Sequence, residues 1–175
     1  MEYLSEIKPV QTVCFTGHRP DRLPRDATAC ARMLYLLDNE IKLAICRGKV
    51  NFVSGAMSGF DIIAAERVIT HKAEYSQLRC ILILPFSVRY FENENWTPEW
   101  IDRLQAVSEQ ADYEISLFER YHYGVYYERD KFIVDMSSEV IAYFDGQPGG
   151  TKYTIDYTVS CGKPLINLAD AFAPI

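Results

Sequence analysis

The segment NFVSGAMSGFDIIAAERV, residues 51–68, contains the clearest structural pattern of the chain. A short β-rich run at 51–54 ends at Gly55, and Ser58 with Asp61 three residues later is a capping-box pattern that opens a helix. Apolar residues then recur at helical spacing, at Ile62, Ala65, Val68 and Ile69. The segment is therefore predicted to be one strand–turn–helix unit.

The same unit recurs along the chain. The run RCILIL at 79–84 is almost continuously apolar, as in a strand covered on both faces, and Pro85 is predicted to end it. We expect six strands, near residues 12–16, 51–54, 79–84, 113–118, 140–144 and 164–168. The intervening helices are expected at about 26–47, from 58, from Thr97-Pro98, at 125–136 and at 151–161. This alternation predicts an α/β fold: a Rossmann-like three-layer sandwich with a mostly parallel sheet and helices on both faces.

Composition bounds the kind of protein. The chain has 175 residues, 49% of them hydrophobic, which predicts a single domain over residues 1–175. The net charge of −6 makes nucleic acid an unlikely partner. No apolar run is long enough to cross a membrane, so we expect a cytoplasmic protein. The five cysteines form no C-x-x-C pair and the three histidines are scattered, so neither a metal nor a cofactor is expected.

Glycines cluster after three of the predicted strands. Gly17 follows the first, Gly55 and Gly59 follow the second, and a third group follows the fifth, at Gly146, Gly149 and Gly150. Loops after parallel strands meet at one edge of the sheet, where helix N-termini offer free amides. The glycines therefore indicate a site for an anionic ligand, or else only tight turns. No Walker A, G-x-G-x-x-G or G-x-S-x-G motif occurs, so an ATPase, a standard dinucleotide dehydrogenase and a serine hydrolase are not supported.

Arginines are expected to supply the charge for this ligand. Arg19 and Arg89 lie in predicted edge loops, and Arg129 could reach the same crevice from the helix before the fifth strand. His18 either contacts the ligand or caps its turn. The predicted ligand-binding set is Gly17, His18, Arg19, Ser54, Gly55, Ala56, Gly59, Pro85, Arg89, Gly149, Gly150 and Thr151.

Aromatic residues crowd the segment before the fourth helix, at Tyr121, His122, Tyr123, Tyr126 and Tyr127. They could pack in the core, form a dimer surface or stack on a base. A homodimer is therefore a possible assembly.

Several short motifs, in order, resemble one protein superfamily. SGAMSGFDIIAAERV resembles the S-G-x-x-x-G-x-D-x-x-A signature of the DNA-processing protein DprA. ERDKFIVDMSSEVIAYFDGQPGGTKYTID is similar to the R-N-R-I-I-x-x-L-S stretch of DprA and to the P-G-G-x-G-T-x-x-E region of LOG phosphoribohydrolases. With TGHRP at 16–20, the chain resembles YpsA-like members of the SLOG (SMF/DprA-LOG) superfamily. The resemblance implies a Rossmann-like sheet whose loops hold a phosphorylated, nucleotide-like ligand.

The resemblance also implies, for the LOG branch, cleavage of the N-glycosidic bond of a nucleoside 5′-monophosphate by an arginine and a glutamate. Arg129 matches the arginine, but Thr154 occupies the glutamate position, and threonine cannot act as a carboxylate does. Candidate catalytic residues are then Arg129 with a carboxylate from Asp61, Glu66 or Asp130, although Asp61 also fits the capping box.

Three functions follow from these observations. The first is a nucleotide-binding or sensing protein, because the binding loops are present beside an incomplete catalytic set. The alternatives are a LOG-like N-glycosidase, which is a hydrolase, and a DprA-like scaffold for single-stranded DNA. Whether the chain is an enzyme stays open at this point.

Overall fold

One six-stranded sheet, entirely parallel, forms the centre of the molecule. The computed structural model describes residues 6–87 and 96–172. The strands are β1 (Thr12–Gly17), β2 (Asn51–Ser54), β3 (Arg79–Phe86), β4 (Tyr113–Phe118), β5 (Glu139–Tyr143) and β6 (Leu165–Asn167), in the spatial order β4-β3-β2-β1-β5-β6. The predicted Rossmann-like architecture is confirmed.

Within these described ranges, five α-helices connect the strands: α1 (Ala27–Cys46), α2 (Phe60–Lys72), α3 (Pro98–Gln110), α4 (Val125–Asp135) and α5 (Gly150–Ser160). Helix α1 begins where the Asp26 carboxylate accepts the Ala29 amide at 2.8 Å, a standard N-cap. Helix α3 begins at Pro98 after Thr97, as its sequence indicates.

The predicted capping box at the start of α2 is wrong. The N-cap is Gly59, which has a φ of 102° and no side chain to cap the helix. Ser58 instead accepts a hydrogen bond from Arg19 Nη1 at 3.0 Å. Glycine is required at 59 because a β-carbon there would collide with the His18 carbonyl and lie 2.9 Å from Arg19 Cα.

Pro85 does not end the third strand, which continues to Phe86. Pairing of β3 with β2 stops at Leu82, whereas pairing with β4 continues to Phe86 and Phe118. A missing amide hydrogen is tolerated where a strand has a neighbour on one side only.

Alternate residues of each strand enter two cores. Phe15, Phe52 and Leu82 pack with α1, α2 and α3 on one face of the sheet. Cys14 and Ile83 pack with α4 on the other face. Both faces of the sheet are thus covered, which explains the continuous apolar run in β3.

The chain changes direction at β1. Strands β2, β3 and β4 are added outward on one side of β1, and β5 and β6 on the other. The loops after β1 and β5 therefore separate at the carboxyl edge and leave a crevice, the usual ligand position in open α/β sheets. Within 6–87 and 96–172, no helix is long and apolar enough to cross a membrane. The same residues contain no cluster of metal-ligating side chains.

Candidate functional site at the β1–β5 crevice

A cavity of about 460 Å³ opens at this crevice. The end of β1 and its loop line one side, from Thr16 to Arg22, and the N-termini of α4 and α5 line the other. Among the described residues, its charged lining consists of three arginines and three aspartates: Arg19, Arg22, Arg129, Asp21, Asp61 and Asp130. The volume lies in the range typical of small-molecule sites.

Arg129 forms the buried wall of the cavity and is only 4% exposed. Its Nη1 donates to the carbonyl oxygens of Gly55 and Ile83, so it bridges the ends of β2 and β3. Its Nε lies 2.9 Å from Asp130 Oδ1 but outside hydrogen-bond geometry, and it has no other hydrogen-bond partner among the described residues. Gly55 leaves the room for this guanidinium, because a β-carbon at 55 would overlap Arg129 Nη1 and lie 2.7 Å from Asp61 Oδ2.

Asp61 lines the same wall from the first turn of α2 and is 8% exposed. Loss of hydration raises the pKa of its carboxyl from 3.8 to about 6, against the opposing effect of the Arg129 charge. Ser54 Oγ donates to the Asp61 carbonyl at 2.7 Å and accepts the Ala56 amide at 3.1 Å, so it shapes the β2–α2 turn. The carboxyl can therefore exchange a proton near neutral pH within a ligand-sized cavity.

Thr154, at the position of the LOG glutamate, also lines the cavity and is 1% exposed. Its hydroxyl lies 3.1 Å from Asp130 Oδ2 and 3.2 Å from the Gly150 carbonyl. Asp130 is thus the carboxylate next to this position, contributed by α4 rather than by α5.

The N-terminus of α5 faces the cavity through Gly149, Gly150 and Thr151. Gly149 is the N-cap and provides no side-chain cap. The first i+4 to i backbone hydrogen bond of α5 is donated by the Tyr153 amide to the Gly149 carbonyl, at 3.3 Å. The amides of the preceding turn therefore have no helical acceptor and can receive an anion.

A polar cluster of Arg22, His18 and Asp145 joins the loop after β1 to the loop after β5. Arg22 Nη2 and Nε donate to Asp145 at 2.6 and 3.3 Å, and its Nη1 donates to the Pro148 carbonyl at 3.2 Å. His18, 3% exposed, places Nε2 2.7 Å from Asp145 Oδ1 and 3.0 Å from the Asp145 amide nitrogen. Burial of His18 lowers the pKa of its imidazole, although the Asp145 charge opposes this effect.

Four tyrosines form the outer wall, at Tyr121, Tyr123, Tyr126 and Tyr127. Tyr121 and Tyr123 are 62% and 93% exposed. Tyr121 and Tyr126 each place their ring edge-on to Phe86, 6.0 Å away. The fifth aromatic residue of the segment, His122, instead pairs with Glu128 at 2.9 Å. The tyrosines therefore present exposed aromatic surface beside the charged lining.

The structure brings most of the sequence-predicted residues into one cavity. Its lining includes Gly17, His18, Arg19, Asp61, Arg129, Asp130, Gly149, Gly150 and Thr151. Five others are buried and do not line it, namely Ser54, Gly55, Ala56, Gly59 and Pro85. Glu66 lies elsewhere on α2, where Arg103 contacts both of its carboxylate oxygens at 2.7 and 2.6 Å. Arg89 is outside the described residues.

Sequence reasoning missed Arg22 and Asp145. Arg22 is three residues from Arg19 and ends a 3₁₀ turn, Pro20–Arg22, which turns it toward the cavity. Asp145 directly precedes the glycine-rich loop after β5. Their positions beside glycine-rich edge loops were the available signal, but nothing in the sequence indicates that they pair.

The fold and the cavity together define a Rossmann-like α/β protein with a ligand-sized crevice at the switch point of its sheet. A family model described as the YspA SLOG family matches residues 13–163, and the chain belongs to this family.

One sequence relative agrees with this assignment, and two solved structures share the fold. The chain is 25% identical over 152 residues to the UPF0398 protein YpsA of Bacillus subtilis (strain 168), covering 83% of each chain. It superposes on DNA processing protein A from Helicobacter pylori, a structure described for its single-stranded DNA binding mode, with a TM-score of 0.63 and 19% identity. That match covers 98% of this chain and 74% of the other. DNA processing protein A (DprA) from Streptococcus pneumoniae matches with a TM-score of 0.58 and 13% identity, over 93% of this chain and 50% of that one.

Proposed function

We propose that this protein binds a phosphorylated, nucleotide-like small molecule in the β1–β5 crevice. The observation that carries the proposal is that one cavity combines an uncapped helix N-terminus, three arginines and four tyrosines. The helix N-terminus and the arginines suit the phosphate of a nucleotide, and the tyrosines suit its base.

The phosphate end is assigned to the N-terminus of α5. Helix dipoles and free amides favour a negative charge there, and no acidic side chain occupies the first turn. Gly149 and Gly150 are exposed and have no side chain to block the approach of an anion.

The base end is assigned to the tyrosine wall. Stacking of a base on an aromatic ring contributes about 1–3 kcal/mol. Tyr123, the most exposed of the four, has most of its ring surface available for such a contact. Asp130 and Asp61 also line the cavity, and carboxylates can accept hydrogen bonds from sugar hydroxyls.

The test is calorimetric titration of AMP, ADP-ribose, NAD and adenosine into wild-type protein and Thr151→Glu. A glutamate in the first turn favours the helix but places a negative charge where we assign the phosphate. We expect AMP to bind about tenfold more weakly to the Thr151→Glu variant, with adenosine affected much less.

Thr151→Gln is the matched control, because it has the same shape without the charge. We expect its AMP affinity to stay within about twofold of wild type. Equal loss in both variants would assign the effect to side-chain size and contradict a phosphate at this position. Absence of binding by every compound at millimolar concentration would refute the proposal as a whole.

A second candidate function is hydrolysis of the N-glycosidic bond of a nucleoside monophosphate. Its supporting observation is the placement of Asp61, with a pKa of about 6, beside Arg129 and Asp130 in the cavity wall. A carboxyl that titrates near neutral pH suits general acid–base catalysis. Release of free adenine from AMP, abolished in Asp61→Asn and kept in the surface control Asp156→Asn, would support this function; no release above background would exclude it for AMP.

Single-stranded DNA is the third ligand to test, since the Helicobacter pylori relative is described as binding it. The charge of −6 argues against such binding. A gel shift at low salt, where non-specific binding is strongest, decides the question. We expect no complex.

A further inference from the structure

Arg22 is the cavity arginine that combines accessibility with rigid positioning. Its side chain is 27% exposed and lines the cavity, whereas Arg129 is 4% exposed. Three of its five N–H groups bond to Asp145 and to the Pro148 carbonyl. Among the described residues, the structure gives no protein partner to the remaining two, one on each terminal nitrogen.

The Arg22 guanidinium lies next to the N-terminus of α5. A β-carbon built on Gly149 would be 3.8 Å from Arg22 Nη1, so this nitrogen is next to the N-cap of the helix. The adjacent turn carries the amides of Gly150, Thr151 and Lys152, which have no helical acceptor. An anion seated on those amides would therefore be within reach of the unused N–H groups of Arg22.

We propose that Arg22 is the residue that recognises the phosphate, with Asp145 as the positioning residue that holds its guanidinium in place. The inference rests on the nucleotide binding proposed above and specifies which side chain selects a phosphorylated ligand. Two planar N–H groups facing one anion give a charge-assisted contact with directional preference, which a lysine ammonium does not reproduce.

The other two cavity arginines are less suited to this task. Arg129 uses Nη1 on two backbone carbonyls, and its side chain is only 5% exposed. Arg19 donates from Nη1 to Ser58 Oγ, in the β2–α2 turn. Their charges add to the positive potential of the cavity, and the charge of Arg129 is partly offset by Asp130, whose Oδ1 lies 2.9 Å from Arg129 Nε.

Asp145 stays ionised and therefore keeps its ion pair with Arg22. Desolvation raises the pKa of its carboxyl, but hydrogen bonds from the Gln147 amide and from Arg22 outweigh this effect, so the pKa is lowered overall. His18 contacts the same carboxylate from the β1 side. The three residues thus hold the loop after β5 at a defined distance from the loop after β1.

The experiment compares AMP with adenosine, which differ by the phosphate alone, in calorimetric titrations of four proteins. These are wild type, Arg22→Lys, Asp145→Asn and the control Arg25→Lys. Arg25 is an exposed arginine of the same loop, and it does not line the cavity. Circular dichroism of each protein establishes that it is folded.

We expect Arg22→Lys to weaken AMP binding about tenfold and to change adenosine binding less than twofold. Asp145→Asn keeps the arginine but removes the charge that positions it, so its affinity for AMP should fall about threefold. Arg25→Lys should change the affinity for neither ligand.

If the ratio of the AMP affinity to the adenosine affinity is the same in Arg22→Lys as in wild type, this inference is overturned while the proposed function stands. Wild-type AMP affinity in Asp145→Asn overturns the positioning role of Asp145. Equal affinity of the wild-type protein for AMP and adenosine would show that the phosphate makes no contact, and would overturn both proposals.

Discussion

Two arginine–aspartate pairs border the same cavity in very different environments. In the buried pair, Arg129 and Asp130 have side chains that are 5% and 14% exposed. In the surface pair, the corresponding values for Arg22 and Asp145 are 27% and 38%. Removing one partner of a buried pair leaves an uncompensated charge away from water, whereas an exposed charge is rehydrated. The buried pair therefore maintains the site, whereas the surface pair is available to a ligand.

The largest expected effect comes from breaking the buried pair. Arg129→Met should lower the free energy of unfolding by about 3–5 kcal/mol, because Asp130 and two backbone carbonyls lose their cationic partner. Urea unfolding followed by circular dichroism measures the change. A loss below about 1 kcal/mol would show that water replaces the guanidinium and would contradict its structural role.

An intermediate effect, of opposite sign, is expected at Asp61. The folded state raises the pKa of this carboxyl to about 6, so the protonated form is favoured and stability falls as the pH rises from 3.8 through 6. Asparagine resembles the neutral carboxyl. Asp61→Asn should therefore raise the free energy of unfolding at pH 7.5 by on the order of 2 kcal/mol.

The pH dependence supplies the control for this prediction. The advantage of Asp61→Asn should shrink as the pH falls below 6 and vanish only about a pH unit below 3.8, where wild-type Asp61 is protonated in both states. His18 and the other titrating groups are common to both proteins and cancel in the difference. A constant difference across pH 4–8 would show that the burial of an ionised carboxyl is not its cause.

The smallest effect on stability is expected at the surface pair. Arg22→Gln should change the free energy of unfolding by less than about 1 kcal/mol, the usual contribution of an exposed ion pair. The same urea experiment measures it beside Arg129→Met. A loss as large as that of Arg129→Met would remove the distinction between the two pairs and give Arg22 a structural role.

Much of the fold was predictable from local patterns. The strand at Asn51–Ser54 and the helix from Val125 follow from apolar periodicity and adjacent turn residues. The start of α2 was not predictable in the same way. Ser58 and Asp61 have capping-box spacing, but Arg19, from a distant loop, bonds to Ser58, and Gly59 caps the helix instead.

The candidate site, like the fold, was predictable only in part. Glycine-rich turns after parallel strands indicate which edge of the sheet to examine, and Gly149, Gly150 and Thr151 do line the cavity there. Gly55 does not line the cavity, and the volume that a β-carbon would take there is filled by the side chains of Arg129 and Asp61. The sequence shows that a glycine is present, but it does not show whether a ligand or a side chain occupies the space beside it.

Local sequence patterns were sufficient to predict the α/β alternation and the edge at which the loops meet, because hydrophobic periodicity and turn residues act over a few neighbouring positions. The pairing of the charged side chains, in contrast, became visible only in the folded chain. Arg22 and Asp145 are 123 positions apart, and Arg129 reaches Gly55 across 74. Pairings at such separations depend on strand order, and strand order is set by how the whole core packs.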